Sequence, residues 1–149
     1  MRRRAVGSAY GELPDPAIDT DDVRGLAEFY RELLGLAYRP GDEPPATGAD
    51  DADWLVLRHP DGSRAIAIQE AREHTRSTWP DPAVPQQLHI DMTVGSIGDL
   101  DVQRERVLAL GGTLLLDQRD DPDEALYVFA DPAGHPFCIF VAPDQGDDA

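Results

Sequence analysis

The chain has 149 residues, with 29 acidic side chains against 13 basic ones, all of them arginine, and a formal net charge of −16. A field of that sign repels phosphate backbones and anionic membrane surfaces, so neither nucleic acid nor a membrane is expected as a partner. The sequence has no lysine, which excludes Schiff-base chemistry, pyridoxal phosphate attachment and P-loop phosphate binding, and its single cysteine, Cys138, excludes an intrachain disulfide.

The length suits one domain over 1–149 with a core of its own. The start, MRRRAVGSAYGELP, carries positive charge with no apolar stretch behind it, and no run approaches the roughly eighteen apolar residues that cross a bilayer. A soluble, cytoplasmic protein is the expectation.

In chain order, Pro14 to Asp19 reads as a first strand, and Thr20 or Asp21 is placed to cap the helix after it. There Val23, Leu26, Ala27, Tyr30, Leu33 and Leu34 recur at helical spacing, and Gly35 supplies a left-handed stop. Leu36 to Arg39 begins a second strand. The Pro- and Gly-rich stretch from Gly41 to Asp53 is expected to be a mobile loop, and WLVLRHP with RAIAIQE forms a hairpin around Asp61-Gly62. Pro80, Pro82 and Pro85 forbid regular helix between Ala71 and Gln87, so this segment reads as a linker whose Trp79 covers core or cavity mouth. Leu88 to Val94 is the next strand. Asp99 is placed to cap a helix carrying Leu100, Val107, Leu108 and Leu110 that stops at Gly111-Gly112, and strands at Thr113 to Gln118, Ala125 to Ala130 and Pro136 to Ala142 complete the chain.

The chain therefore states one order of elements twice. Extended segment, helix ending in glycine, strands, tight turn and last strand run over about 10–70 and again over about 88–142, with the linker at 71–87 between them and an acidic tail at 143–149. The expected fold is α+β: two β-α-β-β-β modules whose curved mixed sheets pair around a cavity, with helices outside.

The motif D-x-x-x-L-A-x-F-Y-R-x-L-L-G from Asp22 to Gly35, the H-x-D-x-x-V strand at His89 and D-P-A-G-H-P-F-C from Asp131 to Cys138 carry a family resemblance that spans nearly the whole chain. Together they resemble the glyoxalase, bleomycin-resistance and extradiol-dioxygenase (vicinal oxygen chelate) superfamily, and within it the actinobacterial glyoxalase-like domain branch. The resemblance implies a divalent metal held by side chains on equivalent strands. Carried onto this chain, the first-strand position falls on Asp15, its second-module equivalent on His89, and the final-strand position on Cys138. A gapless superposition of HPDGSRAI on DPAGHPFC puts Ile66 at the matching place in the first module.

That is a degenerate ligand set, since Ile66 cannot ligate and sulfur replaces a hard carboxylate. No cofactor is the first expectation; iron, manganese, nickel or zinc on His89, Asp15 and Cys138 is the alternative. If His89 faces inward, strand alternation turns Asp91 inward with it, giving a pair capable of acid-base work or of simple mutual satisfaction. Cys138 also suits a small buried hydrophobe. Trp54, Ile66, Trp79, Tyr127, Cys138 and Phe140 are the candidates for lining a ligand pocket.

Three functions stay open on the sequence. One is a binding module that sequesters an aromatic or cationic metabolite or antibiotic. Another is a metal-dependent lyase, isomerase or dioxygenase. The last is a metal-free acid-base enzyme using His89 and Asp91. The partner expected in each case is a small molecule, with a homodimer as a further expectation.

Overall fold

The computed structural model describes residues 9–143. The acidic tail beyond Pro143 and the arginine-rich first eight residues lie outside them. Ten elements follow in order: β1 (Ala17–Thr20), α1 (Val23–Leu34), β2 (Ala37–Tyr38), β3 (Trp54–Arg58), β4 (Arg64–Glu70), β5 (Ile90–Val94), α2 (Ile97–Ala109), β6 (Thr113–Gln118), β7 (Leu126–Ala130) and β8 (Pro136–Val141). They form two four-stranded sheets, ordered β1-β4-β3-β2 and β5-β8-β7-β6. In each the first strand runs parallel to the last and the remaining neighbours are antiparallel, so the repeat read from the sequence is a repeat in space.

Several boundaries differ from the sequence reading for local reasons. The first strand begins at Ala17, because Pro14 and Pro16 have no N–H to give a ladder; Pro16 contributes its carbonyl alone, accepting from Ala67 N at 2.9 Å. Helix α1 is capped by Asp22, which accepts from Gly25 N at 3.0 Å, rather than by Thr20 or Asp21; the Thr20 hydroxyl accepts instead from Asp22 N. Helix α2 is capped by Ser96, which accepts from Asp99 N at 3.1 Å, so Asp99 belongs to the first turn. Strand β5 begins at Ile90, leaving His89 just ahead of it and Leu88 65% exposed.

The Gly41 to Asp53 loop is tied to the body of the protein, contrary to the mobile segment expected there. Arg24 of α1 donates to Asp42 O at 2.7 Å and pairs with Asp50 at 2.6 Å, and Asp42 in turn accepts from Val56 N at 2.9 Å.

One core serves both modules. Helix α1 buries Val23, Leu26, Ala27, Tyr30 and Leu33 at the spacing its sequence announces and Phe29 besides, while Leu34, expected with them, is 41% exposed; Leu55, Leu57, Ile66 and Ile68 meet the helix from β3 and β4. Phe29 and Tyr30 also reach Phe137 at the start of β8, with ring centroids 5.9 and 6.1 Å apart, and Phe137 continues to Phe129 at 5.5 Å. Each such aromatic pair contributes about 0.5–1.5 kcal/mol beyond its buried area. Polar contacts cross the same junction. Arg106 of α2 donates to the Leu33 and Glu32 carbonyls at 3.1 and 2.7 Å, placing a cation on the negative end of α1.

Candidate functional site

Strand β5 is half-buried on one side and open on the other. Ile90, Met92 and Val94 pack on the core beneath α2, while Asp91 and Thr93 are exposed on the face turned away from the helices. Parallel pairing sets Asp91 opposite Cys138 and Thr93 opposite Phe140, and β7 sets Val128 beside Cys138 and Leu126 beside Phe140. On this helix-free face the structure therefore brings Asp91, Cys138 and Phe140 together, with His89 at the strand's entry. His89 Nε2 lies 3.1 Å from Asp91 Oδ1. Both side chains are about half exposed, so the pair is worth little to stability, in the range of about 0–1 kcal/mol; it orders the imidazole against the carboxylate.

Cys138 is 8% exposed. Burial first, then the nearby negative charges of Asp91 and Glu124, pushes its thiol up to about 11. A thiol held protonated is a poor nucleophile and a poor metal ligand. Its role on this face is that of a small apolar wall.

Asp15, the first expected ligand, is committed elsewhere. Its two carboxylate oxygens meet Arg64 Nε and Nη2 at 3.1 and 3.2 Å, and its side chain is 4% exposed. The guanidinium, hydrogen-bonded through Nη2 and with Nε close by, already supplies the positive charge that a metal would bring. The first-module equivalent of Cys138 also needs correcting. Asp91 follows His89 as Ala17 follows Asp15, and Ala17 pairs with Ala67, so the matching residue is Ala67; Ile66 points into the core beneath α1 and is 3% exposed. Neither can ligate. Among the described residues no group of three or more His, Cys, Asp or Glu side chains is placed to hold a metal ion. The residues present do not fit the divalent metal that the resemblance implies.

The remaining pocket candidates divide. Tyr127 is 3% exposed and faces the helix side, where Arg104 lies 5.9 Å over its ring, so it is core rather than pocket wall. Trp54 is half-buried on the helix-free face of the first sheet, opposite Gln69. Trp79 is half-buried within the linker. Trp54 also lines a small depression of about 210 Å³ with Arg24 and Asp50, and Phe140 lines a larger one of about 870 Å³. The rim of the larger carries Asp120, Asp121, Asp123 and Glu124, with Arg119 as the one cation.

A feature that the sequence reading passed over sits where the modules join. Between β1, the linker and the turn before β8 lies a cleft of about 430 Å³, with His74, His135, Asp19 and Gln86 in its wall. His135 belongs to the D-P-A-G-H-P turn, which could have signalled it; nothing in the sequence around His74 does.

Two modules of this topology, sharing one core, define the scaffold of the glyoxalase, bleomycin-resistance and dioxygenase proteins. The model of the glyoxalase-like domain matches residues 15–140, and the chain belongs to that family. Solved structures agree on the fold. A glyoxalase/bleomycin resistance protein/dioxygenase family enzyme from Burkholderia phytofirmans is similar at 15% identity, covering 89% of this chain and 100% of that one with a TM-score of 0.67. A genomically encoded fosfomycin resistance protein from Listeria monocytogenes is similar at 16% identity, with coverage of 91% and 94% and a TM-score of 0.64. Lactoylglutathione lyase from Agrobacterium tumefaciens is similar at 17% identity, with coverage of 91% and 96% and a TM-score of 0.57. No curated protein matches the sequence. Among the described residues no helix is long and apolar enough to cross a membrane.

Proposed function

We propose that this glyoxalase-like protein captures a small aromatic or cationic molecule on the helix-free face of its second sheet, without requiring a metal. The observation that carries this reading is the Asp15–Arg64 pair: the carboxylate that would head a metal site is buried and paired with a guanidinium. What remains on the open face suits binding. Phe140 offers a ring, Leu126 beside it offers aliphatic surface, and the acidic rim of its depression, Asp120, Asp121, Asp123 and Glu124, offers negative charge to an organic cation. The net charge of −16 adds long-range attraction for the same class of ligand.

The test is thermal stabilisation by a panel of aromatic amines, cationic antibiotics and neutral analogues, run in excess chelator. A cationic aromatic compound should raise the melting temperature in the saturating, mass-action form, and Phe140→Ala should abolish the effect. Stabilisation that disappears with chelator, or silence across the panel, would count against the reading.

A second reading is supported by the 3.1 Å contact between His89 and Asp91, which is the geometry of an oriented general base. Under it the bound molecule is also turned over. Asp91→Asn would then abolish turnover while binding persists; equal loss of both would leave the binding reading alone.

A further inference from the structure

The hairpin end of the first sheet sets two arginines side by side. Strand alternation puts Arg58 with Trp54 and Val56 on the helix-free face, since Leu55 and Leu57 between them meet α1. In β4 Ile66 pairs with Leu57, and the next pairing brings Arg64, not Ala65, opposite Arg58. Ala65 is thus the extra residue of a bulge, and the bulge is what places the second arginine against the first. Regular pairing would have put the small, neutral Ala65 there.

Like charges directly opposite one another across a strand pair are destabilising, and one of these two is unanswered. Asp15 holds Arg64 through Nη2, which leaves Arg64 Nη1 without a partner. Arg58 makes no hydrogen bond and no ion pair, alone among the arginines of the described residues; each of the others meets a carboxylate or a backbone carbonyl. Its Nε is fully buried without a partner, so the side chain lies down along the sheet, while its two Nη nitrogens are neither bonded nor closed off. In a chain with 29 acidic side chains, a cation left without a carboxylate beside a second cation is a local exception.

We infer that Arg58, with Arg64 opposite it, is a binding site for the carboxylate group of a small organic acid. The two open Nη nitrogens of Arg58 form a fork that a carboxylate takes in parallel N–H···O bonds, and Arg64 Nη1 is a further free donor on the paired residue. The bound anion answers the charge that the protein itself leaves unanswered. The net charge of −16 opposes anions at long range, so the attraction is local, and a singly charged carboxylate is favoured over the more highly charged phosphate. The site uses none of the residues of the second sheet, so it stands or falls independently of the cation-binding face proposed there.

The experiment titrates the full chain at fixed ionic strength with three probes: benzoate; benzamide, its neutral counterpart of nearly the same shape; and inorganic phosphate. Backbone amide and arginine side-chain N–H chemical shifts are followed. Benzoate should give saturable shifts at Arg58 and Arg64, and benzamide and phosphate should each bind at least tenfold more weakly. Arg58→Met should weaken benzoate at least tenfold while raising the melting temperature of the free protein, since it keeps the buried stem and removes the unanswered charge. Arg72→Met makes the same change of net charge at an exposed arginine and should alter benzoate affinity less than twofold. Equal weakening by the two variants would reduce the effect to net charge and overturn the site. A melting temperature lowered by Arg58→Met would mean that the fold, not a ligand, keeps the arginine. Benzamide or phosphate binding as tightly as benzoate, shifts confined to the second sheet, or no saturable shift would each overturn the inference as well.

Discussion

The Tyr30 hydroxyl donates to Asp131 Oδ2 at 2.6 Å, joining the two modules across 101 residues of sequence in the centre of their shared core. The other carboxylate oxygen accepts from Ala133 N and His135 N at 2.9 and 3.0 Å, so Asp131 also folds the turn that leads into β8. Burial lifts the Asp131 carboxyl above the ordinary range, and the Tyr30 hydrogen bond opposes that lift. Tyr30→Phe should cost about 1–3 kcal/mol, because it withdraws a donor from a buried acidic group. For the pH dependence, a carboxyl whose folded value is raised contributes stability that is present below its unfolded value and lost as pH rises through the folded one. Asp131→Asn removes this dependence. Urea denaturation should therefore find the variant gaining on the parent as pH rises above about 4; a constant difference would contradict the assignment.

Gly25 is held as glycine by the cap it serves. A Cβ there would fall 2.1 Å from Asp22 Oδ2, displacing the carboxylate that caps α1. Gly25→Ala should then forfeit most of the roughly 1 kcal/mol that alanine offers a helix, because it loses a cap worth about the same. In an Asp22→Ala background the conflict is gone, and Gly25→Ala should stabilise by the full amount. Additive effects in this cycle would show that the cap and the glycine are independent.

The Cys138 thiol, lifted to about 11, should be slow towards alkylation. At about pH 8 roughly one thiol in a thousand is ionised, and the rate should rise about tenfold per pH unit. Asp91→Asn removes one of the charges that lift it and should speed labelling at fixed pH, while leaving the unfolded chain's rate unchanged. Labelling of the folded parent at the rate of a free cysteine would refute this picture of the face.

Arg64 is the partner that keeps Asp15 satisfied while almost fully buried. Arg64→Gln leaves a neutral donor in place of a cation beside a buried carboxylate and should cost about 1–3 kcal/mol. The corresponding change at exposed Arg72, paired with Glu70 at 3.5 Å, should fall within about 0.5 kcal/mol. Equal effects at the two positions would mean that the Asp15 pair is an ordinary surface contact.

How far the sequence reveals this molecule depends on which residues are asked. Helix α1 was legible because Val23, Leu26, Ala27, Tyr30 and Leu33 repeat at helical spacing and Gly35, at φ 65°, stops it in the left-handed region; Phe29 was missed and Leu34 is exposed. The doubled order of elements was legible because each module ends on a turn and an apolar strand. The caps were harder, since Thr20, Asp21 and Asp22 are all competent acceptors in a row and only the path of the chain selects Asp22. Ile66 was misplaced by a single residue, and in a strand one residue turns a side chain to the opposite face; the gapless superposition takes no account of the register shift between Leu57 and Arg58, where β3 pairs with β4. Tyr127 fell to the same alternation. Of the junction cleft only His135 had a signal, the D-P-A-G-H-P turn, because His74, Gln86 and His135 meet only after the linker has folded across the modules.

The central claim is that this scaffold has exchanged its metal site for a metal-independent binding face. The most direct test is the metal content of freshly purified protein, parent and His89→Ala in parallel, by mass spectrometry, before and after incubation with iron, manganese, nickel and zinc. The account predicts far less than one metal ion per chain in both proteins, with no stable uptake. About one ion per chain in the parent, lost in His89→Ala, would contradict it and return Asp15, His89 and Cys138 to the roles of ligands.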